Sequence, residues 1–325
     1  MNRAANQSSF RPSGKYVVGA YPASPAHKVW DPTQEEAFFQ LLASDNRVSN
    51  LEIPWLGSIH PHDNSWLMNN FPSNLGAVIT SIPFVMSRVG KDANYGLASS
   101  DEHGRSAAVD DLREIRKAIE LFNDQAGKSM VSAVEIHTAP RKVGDVNALA
   151  KSLEEVASWD WGDTKLAIEH CDAWVEGQSP EKGFLRLEQE VAAIQLASVP
   201  IGIFINWGRS AIELRDANRV TEHIESARSS GHLMGLIFSG VASVESDFGY
   251  PWIDAHLPFK RSESFEFGDP NSLLTTELAL SAIKTAGAIE YLGIKMGWSP
   301  KIEGDVNQRY QMISQSLDVL VGSKL

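Results

Sequence analysis

Lys165-Leu166-Ala167-Ile168-Glu169-His170-Cys171-Asp172 is a short apolar run that ends abruptly in ionisable side chains. The same order recurs along the chain: a hydrophobic run, then polar or reactive residues, then an amphipathic stretch. Candidate strands lie at 16–21, 50–55, 76–83, 132–138, 165–171, 202–207, 235–240 and 291–296. They are short and rich in Val, Ile and Leu, as parallel strands buried on both faces are. Helices are predicted between them over 33–44, 105–126, 145–157, 184–197, 210–229, 272–286 and 303–321, from apolar spacing such as Val109, Leu112, Ile115, Ile119 and Phe122. Asp269-Pro270 and Ser299-Pro300 read as helix entries, and Ser210 with Glu213 as a capping box. Alternating elements of this kind imply a parallel sheet with right-handed crossovers. About eight units in one chain favour a single-domain α/β fold, the (β/α)8 TIM barrel, over residues 15–325. Residues 1–14 read as a disordered or loosely packed N-terminus. No GxGxxG follows the first strand, which withdraws support from a dinucleotide-binding fold. Segments 56–74, 84–104 and 241–270 are expected to be long loops over the C-terminal mouth.

Composition narrows the function classes. The chain has 325 residues, 43% hydrophobic and 22% charged, with a formal net charge of -12. That balance disfavours nucleic acid as the main ligand, because phosphate binding needs clustered Lys and Arg. The single cysteine, Cys171, rules out an intrachain disulfide and a cysteine-rich zinc site. No run approaches the roughly 18 apolar residues of a membrane span, and the N-terminus lacks the apolar core of a signal peptide. The expectation is a cytoplasmic protein with neither a nucleic acid nor a membrane as partner. Self-association into a homo-oligomer stays open.

Strand parity selects the residues that face the barrel interior. Where Val134 and Ile136 face the helices, Glu135 and His137 face inward. By the same rule Glu52, Glu169, Asn206, Ser239 and Lys295 point inward, each near the carboxyl end of its strand. Barrel enzymes assemble their chemistry there. Arg209, just before a helix, is placed to clamp a carboxylate, a phosphate or sugar oxygens. Asp172 reads as a ligand contact or a cap, His170 as facing the helices or the rim, and Cys171 as packing. In the 241–270 loop, Trp252 and His256 flank Asp254, and aromatic rings beside polar groups suit sugar stacking. His60, His62 and Trp66 in an earlier loop invite the same reading, or simple loop packing.

Leu51-Glu52-Ile53-Pro54, Glu135-Ile136-His137-Thr138 and Leu166-Ala167-Ile168-Glu169-His170 together resemble the xylose isomerase-like barrels of the sugar-phosphate isomerase/epimerase superfamily. The resemblance spans most of the chain and implies a carbohydrate substrate. It also implies that Glu169 matches the acid that in the family binds a divalent metal and works as an acid/base. Elsewhere the chain departs from the pattern. Asn206-Trp207-Gly208-Arg209 stands where Asp-x-x-His is common, Ser239 where His is, and Lys295 where Glu is. A divalent metal (Mn, Mg, Zn or Co) held by Glu135, His137 and Glu169 stays open, with Arg209 and Lys295 opposing it electrostatically.

The expected activity is therefore isomerisation or epimerisation of a small carbohydrate or sugar acid, by proton abstraction next to a carbonyl. Glu169 and Glu135 are the acid/base candidates, His137 is a proton shuttle, and Lys295 and Arg209 stabilise an enediolate. Glu52, Asn206, Arg209, Ser239, Asp172, His256 and Trp252 are expected to contact the substrate. Glycoside cleavage by two carboxylates about 5–9.5 Å apart is an alternative. So are a sugar lyase working through a Lys295 Schiff base and a non-catalytic sugar-binding barrel.

Overall fold

The computed structural model describes residues 15–322, so the loosely packed segment expected at 1–14 lies outside the described residues. The strands are β1 (Tyr16–Gly19), β2 (Val48–Pro54), β3 (Gly76–Thr80), β4 (Val131–Ile136), β5 (Lys165–His170), β6 (Gly202–Asn206), β7 (Leu233–Phe238) and β8 (Tyr291–Lys295). They pair in parallel, in sequence order, and β8 closes on β1. The chain is a single-domain (β/α)8 TIM barrel, as the alternation predicts. Each strand lies within a few residues of its predicted position, because a buried parallel strand carries its own signal in an unbroken apolar run.

The helices are α1 (Pro32–Ser44), α2 (Asn64–Asn70), α3 (Ile82–Val89), α4 (Glu102–Ala126), α5 (Val146–Ala157), α6 (Leu187–Ala197), α7 (Trp207–Leu214), α8 (Val220–Ser229), α9 (Thr276–Ala286) and α10 (Val306–Gly322). Several differ from the sequence reading. The segments 56–74 and 84–104 are not wholly loop, since α2 and most of α3 fall within them. Asp63 caps α2 through Trp66 N at 2.9 Å, and Pro83 opens α3. The helix predicted over 210–229 is two. Arg215 takes a left-handed φ of 52°, and Asp216 starts a new turn that leads into α8. The cap of α7 is Asn206, whose side chain accepts from Arg209 N, so Ser210 and Glu213 do not form a capping box. Asp269-Pro270 and Ser299-Pro300 are not helix entries either. Thr275 caps α9, and Asp305 accepts from Gln308 N at 2.9 Å to open α10.

Two apolar layers hold the molecule together. The larger lies between strands and helices and includes Val134, Ile136, Leu166, Ile168 and Ile203. The smaller fills the barrel itself with Val17, Val78, Ala133, Ala167, Phe204, Ile237 and Tyr291. Above this plug, toward the carboxyl ends, the inward positions turn polar: Glu52, Thr80, Glu135, Glu169, Asn206 and Lys295 are all buried. Gly19 pairs with Lys295, and a Cβ there would come within 2.9 Å of the Lys295 side chain. The missing side chain on β1 gives the lysine its room. Among the described residues no helix is long and apolar enough to cross a membrane.

Candidate active site

The polar layer is one connected charge network. Glu169, at the end of β5, is its hub. Arg209 Nη1 lies 2.6 Å and His137 Nε2 2.9 Å from Glu169 Oε2, and Thr80 Oγ1 donates to the same oxygen at 3.3 Å. Asn206 Nδ2 donates to Oε1 at 3.2 Å, and Lys295 Nζ lies 3.3 Å from it. Lys295 also reaches Glu52 Oε1 at 2.5 Å. Arg209 Nε donates to Asp254 Oδ2 at 3.0 Å, and Lys182 Nζ reaches the same atom at 2.8 Å. The row from Glu52 to Lys182 therefore alternates acid and base across the barrel mouth. Burial of charge is tolerated only with such pairing, since removing one partner strands the other in low dielectric.

The environments push the carboxyls apart. Burial would raise Glu169, but Arg209 and Lys295 outweigh it and hold the group well below its ordinary value. Burial pushes Glu135 far up, reinforced by the charges of Glu169 and Glu52. Neither Glu135 oxygen has a hydrogen-bond partner, which fits a neutral carboxylic acid. Burial also raises Glu52, partly countered by Lys295. Lys295 stays an ammonium, because Glu169 and Glu52 overcome the desolvation that would lower it. Burial lowers His137 to about 4 and His256 to about 3, so both imidazoles are neutral at pH 7.

A cavity of about 710 Å³ opens above this layer. Its floor includes Glu52, Arg209, Lys182, Asp254 and His256, and its walls include Tyr21, Trp30, His60, His62 and Trp298. Trp30 stacks on His62 with ring centres 5.1 Å apart and meets Trp66 edge-on at 5.0 Å. Tyr21 enters because β1 ends at Gly19 and a short turn containing Pro22 follows. Glu169, Glu135, His137, Asn206, Ser239 and Lys295 lie beneath the floor, buried to 2% exposure or less.

The structure thus brings the inward set together, with each member where strand parity placed it. Ser239 Oγ donates to Asn206 Oδ1 at 2.9 Å and so holds the amide that faces Glu169. Three other candidates have different surroundings. The Asp172 carboxylate accepts the backbone N–H groups of Glu181 and Lys182 at 2.8 and 2.9 Å, tying down the loop that carries Lys182. Trp252 lies under the Arg215 guanidinium at 5.1 Å and is not among the described residues lining the cavity. His170 turns outward, to Glu190 on α6. Sequence reasoning missed Lys182 and Tyr21. Lys182 sits in a turn with no periodic pattern, and Tyr21 read as the last residue of a strand.

A metal at the mouth is a separate matter. A divalent ion beside Glu169 would need its oxygens free and donors around it. Here a guanidinium and an ammonium already sit at 2.6 and 3.3 Å from those oxygens. These residues do not fit a divalent ion.

The closed parallel barrel is similar in fold to solved TIM barrels described as xylose isomerase-like. A xylose isomerase domain containing protein from Salmonella typhimurium LT2 superposes with a TM-score of 0.60 at 12% identity, covering 96% of this chain and 99% of that one. D-allulose 3-epimerase from Methylomonas sp. superposes with a TM-score of 0.56 at 12% identity, covering 95% and 98%. The chain belongs to the family described as a domain of unknown function, DUF4862, which it matches over residues 17–312. A relative from Salmonella typhimurium strain LT2, the uncharacterized protein STM3670, is 34% identical over 314 residues, 94% of this chain and 96% of its own.

Proposed function

We propose that the protein binds a small carbohydrate or sugar acid in the mouth cavity and moves a proton at the carbon next to its carbonyl, as an isomerase or epimerase. The observation that carries this is Glu52. It lines the cavity, its Oε2 has no hydrogen-bond partner, and burial raises its proton affinity. A general base needs a free lone pair, access to the substrate and a pKa drawn toward neutrality. Glu169 has none of these, because its oxygens are occupied and its pKa is held down. In this reading Glu169 instead positions the two cations.

Proton abstraction by Glu52 leaves an enediolate on the substrate and a carboxylic acid on the protein. Arg209, on the cavity floor, stabilises the negative oxygen, and Lys295, beneath the floor and 2.5 Å from Glu52, adds its positive charge from below. Return of the proton to the neighbouring carbon, with the hydroxyl proton passing from one enediolate oxygen to the other, isomerises the sugar, and delivery of a proton to the opposite face of the same carbon epimerises it. Glu135 and His137 remain neutral neighbours that add no charge beneath the floor. Lys182 and Arg209 suit the carboxylate of a sugar acid, and the Trp30 and Trp298 walls suit the apolar face of a ring. A Schiff base at Lys295 is disfavoured, since the amine is held protonated between two carboxylates.

The likeness to D-allulose 3-epimerase supports screening ketohexoses first, D-allulose among them. With a substrate in hand, Glu52→Gln is expected to lower kcat/KM by about 10²–10⁴ while circular dichroism stays unchanged. Wild-type turnover by that variant would sink the assignment of Glu52.

A further inference from the structure

Outside the barrel, between β5, α6, α7 and α8, lies a second polar cluster that the mouth chemistry does not use. We propose that it binds a divalent transition-metal cation of the zinc class through His170, Glu213 and His223. The donor atoms of these three residues lie within 4.8 Å of one another. His170 Nε2 is 3.2 Å from Glu213 Oε2, and His223 Nε2 is 3.7 Å from Glu213 Oε1. Ligands held at zinc–nitrogen and zinc–oxygen bond lengths in a tetrahedron sit about 3.4 Å apart, and both histidine–carboxylate separations lie near that, each to a different oxygen of Glu213.

The surroundings are built in the way second shells are. Glu190 Oε2 lies 2.8 Å from His170 Nδ1, and Thr138 donates to the other oxygen of Glu190 at 2.7 Å. With its proton on Nδ1, His170 presents the Nε2 lone pair toward Glu213. That Nε2 is fully buried and makes no well-aligned hydrogen bond, and a bound metal would take the place of the proton that Glu190 and Glu213 otherwise hold on the ring. Ser210 Oγ lies 3.1 Å from His223 Nδ1 and orients the second imidazole in the same manner. Ala173 N donates to Glu213 at 2.8 Å and fixes the carboxylate. Imidazoles anchored at Nδ1 by an oxygen, with Nε2 converging on one point, are the usual carboxylate–histidine–metal arrangement. Two imidazoles and a carboxylate suit zinc over magnesium or calcium. A cation there also balances Glu190 and Glu213 with both histidines neutral. The Glu213 and His223 side chains keep 9% and 13% of their surface exposed, enough for entry and for a water as fourth ligand.

The test uses full-length protein without a histidine tag. It is stripped with chelator, incubated with zinc chloride, desalted, and measured for metal content and melting temperature. Wild type is expected to retain about one zinc per chain and to melt at a higher temperature for it. His223→Gln and Glu213→Gln should each lose both effects, while Glu52→Gln and Glu169→Gln keep them. No retained zinc, or zinc retained equally by both outer-cluster variants, overturns the site. Loss of zinc in Glu169→Gln with retention in His223→Gln places the metal at the mouth and overturns it equally. None of these readouts depends on the proposed sugar chemistry.

Discussion

Glu135 shows what a single carboxyl does when it is buried without a partner. In the fold it keeps its proton at a pH where the unfolded chain has lost it. The unfolded state then binds fewer protons, so this group's contribution falls as pH rises above the ordinary glutamate value toward the raised folded one. The loss is up to about 1.4 kcal/mol per pH unit. Glu135→Gln removes the titration while keeping the shape. Denaturant unfolding should therefore show the variant gaining on wild type as pH rises above the ordinary glutamate value. A gap that does not change with pH would mean that Glu135 is ionised in the fold. The inward position of Glu135 is legible in the sequence, because side chains alternate with period two and Val134 and Ile136 claim the other face. Its protonation state is not legible, since it depends on Glu169 and Glu52 on other strands. The same limit governs the roles of Glu52 and Glu169. Both read as inward acids, and only the partners around each separate the free base from the saturated anchor.

At the scale of elements, the site depends on how loops are tied to the barrel. Asp172 follows β5 and accepts the N–H groups of Glu181 and Lys182, which brings Lys182 to Asp254 and Asp254 to Arg209. Asp172→Ala leaves those N–H groups without a partner, at about 1–3 kcal/mol for each that stays buried. Hydrogen exchange should show the amides of residues 181 and 182 losing protection while those of β5 keep theirs. Unchanged protection would mean that the loop holds itself. The strands were readable because each is an apolar run with a polar end. The helix 210–229 was misread because its apolar spacing continues through the break, while the left-handed Arg215 and the Asp216 cap leave no periodic trace. Ser210 and Glu213 match a capping box in spacing, yet Asn206 takes the cap, and the two side chains serve His223 and His170 instead.

The whole molecule is a closed barrel with an apolar plug, a layer of paired charges above it and a cavity on top. The eight-stranded barrel was legible from the strand-and-helix rhythm. The departures at Asn206, Arg209, Ser239 and Lys295 were legible as substitutions. Their consequence needed three dimensions: Arg209, just after β6, and Lys295, at the end of β8, converge on one carboxylate of β5, which no local spacing reveals. The account stands on a cation pair doing the electrostatic work at a proton-transfer site. The most direct measurement is solvent deuterium incorporation, followed by NMR, into ketohexoses incubated with chelator-treated protein in D₂O. The account predicts deuterium at the carbon next to the carbonyl for at least one sugar, abolished in Glu52→Gln and in Lys295→Met. Exchange that appears only after a divalent metal is restored, or that persists in both variants, would contradict it.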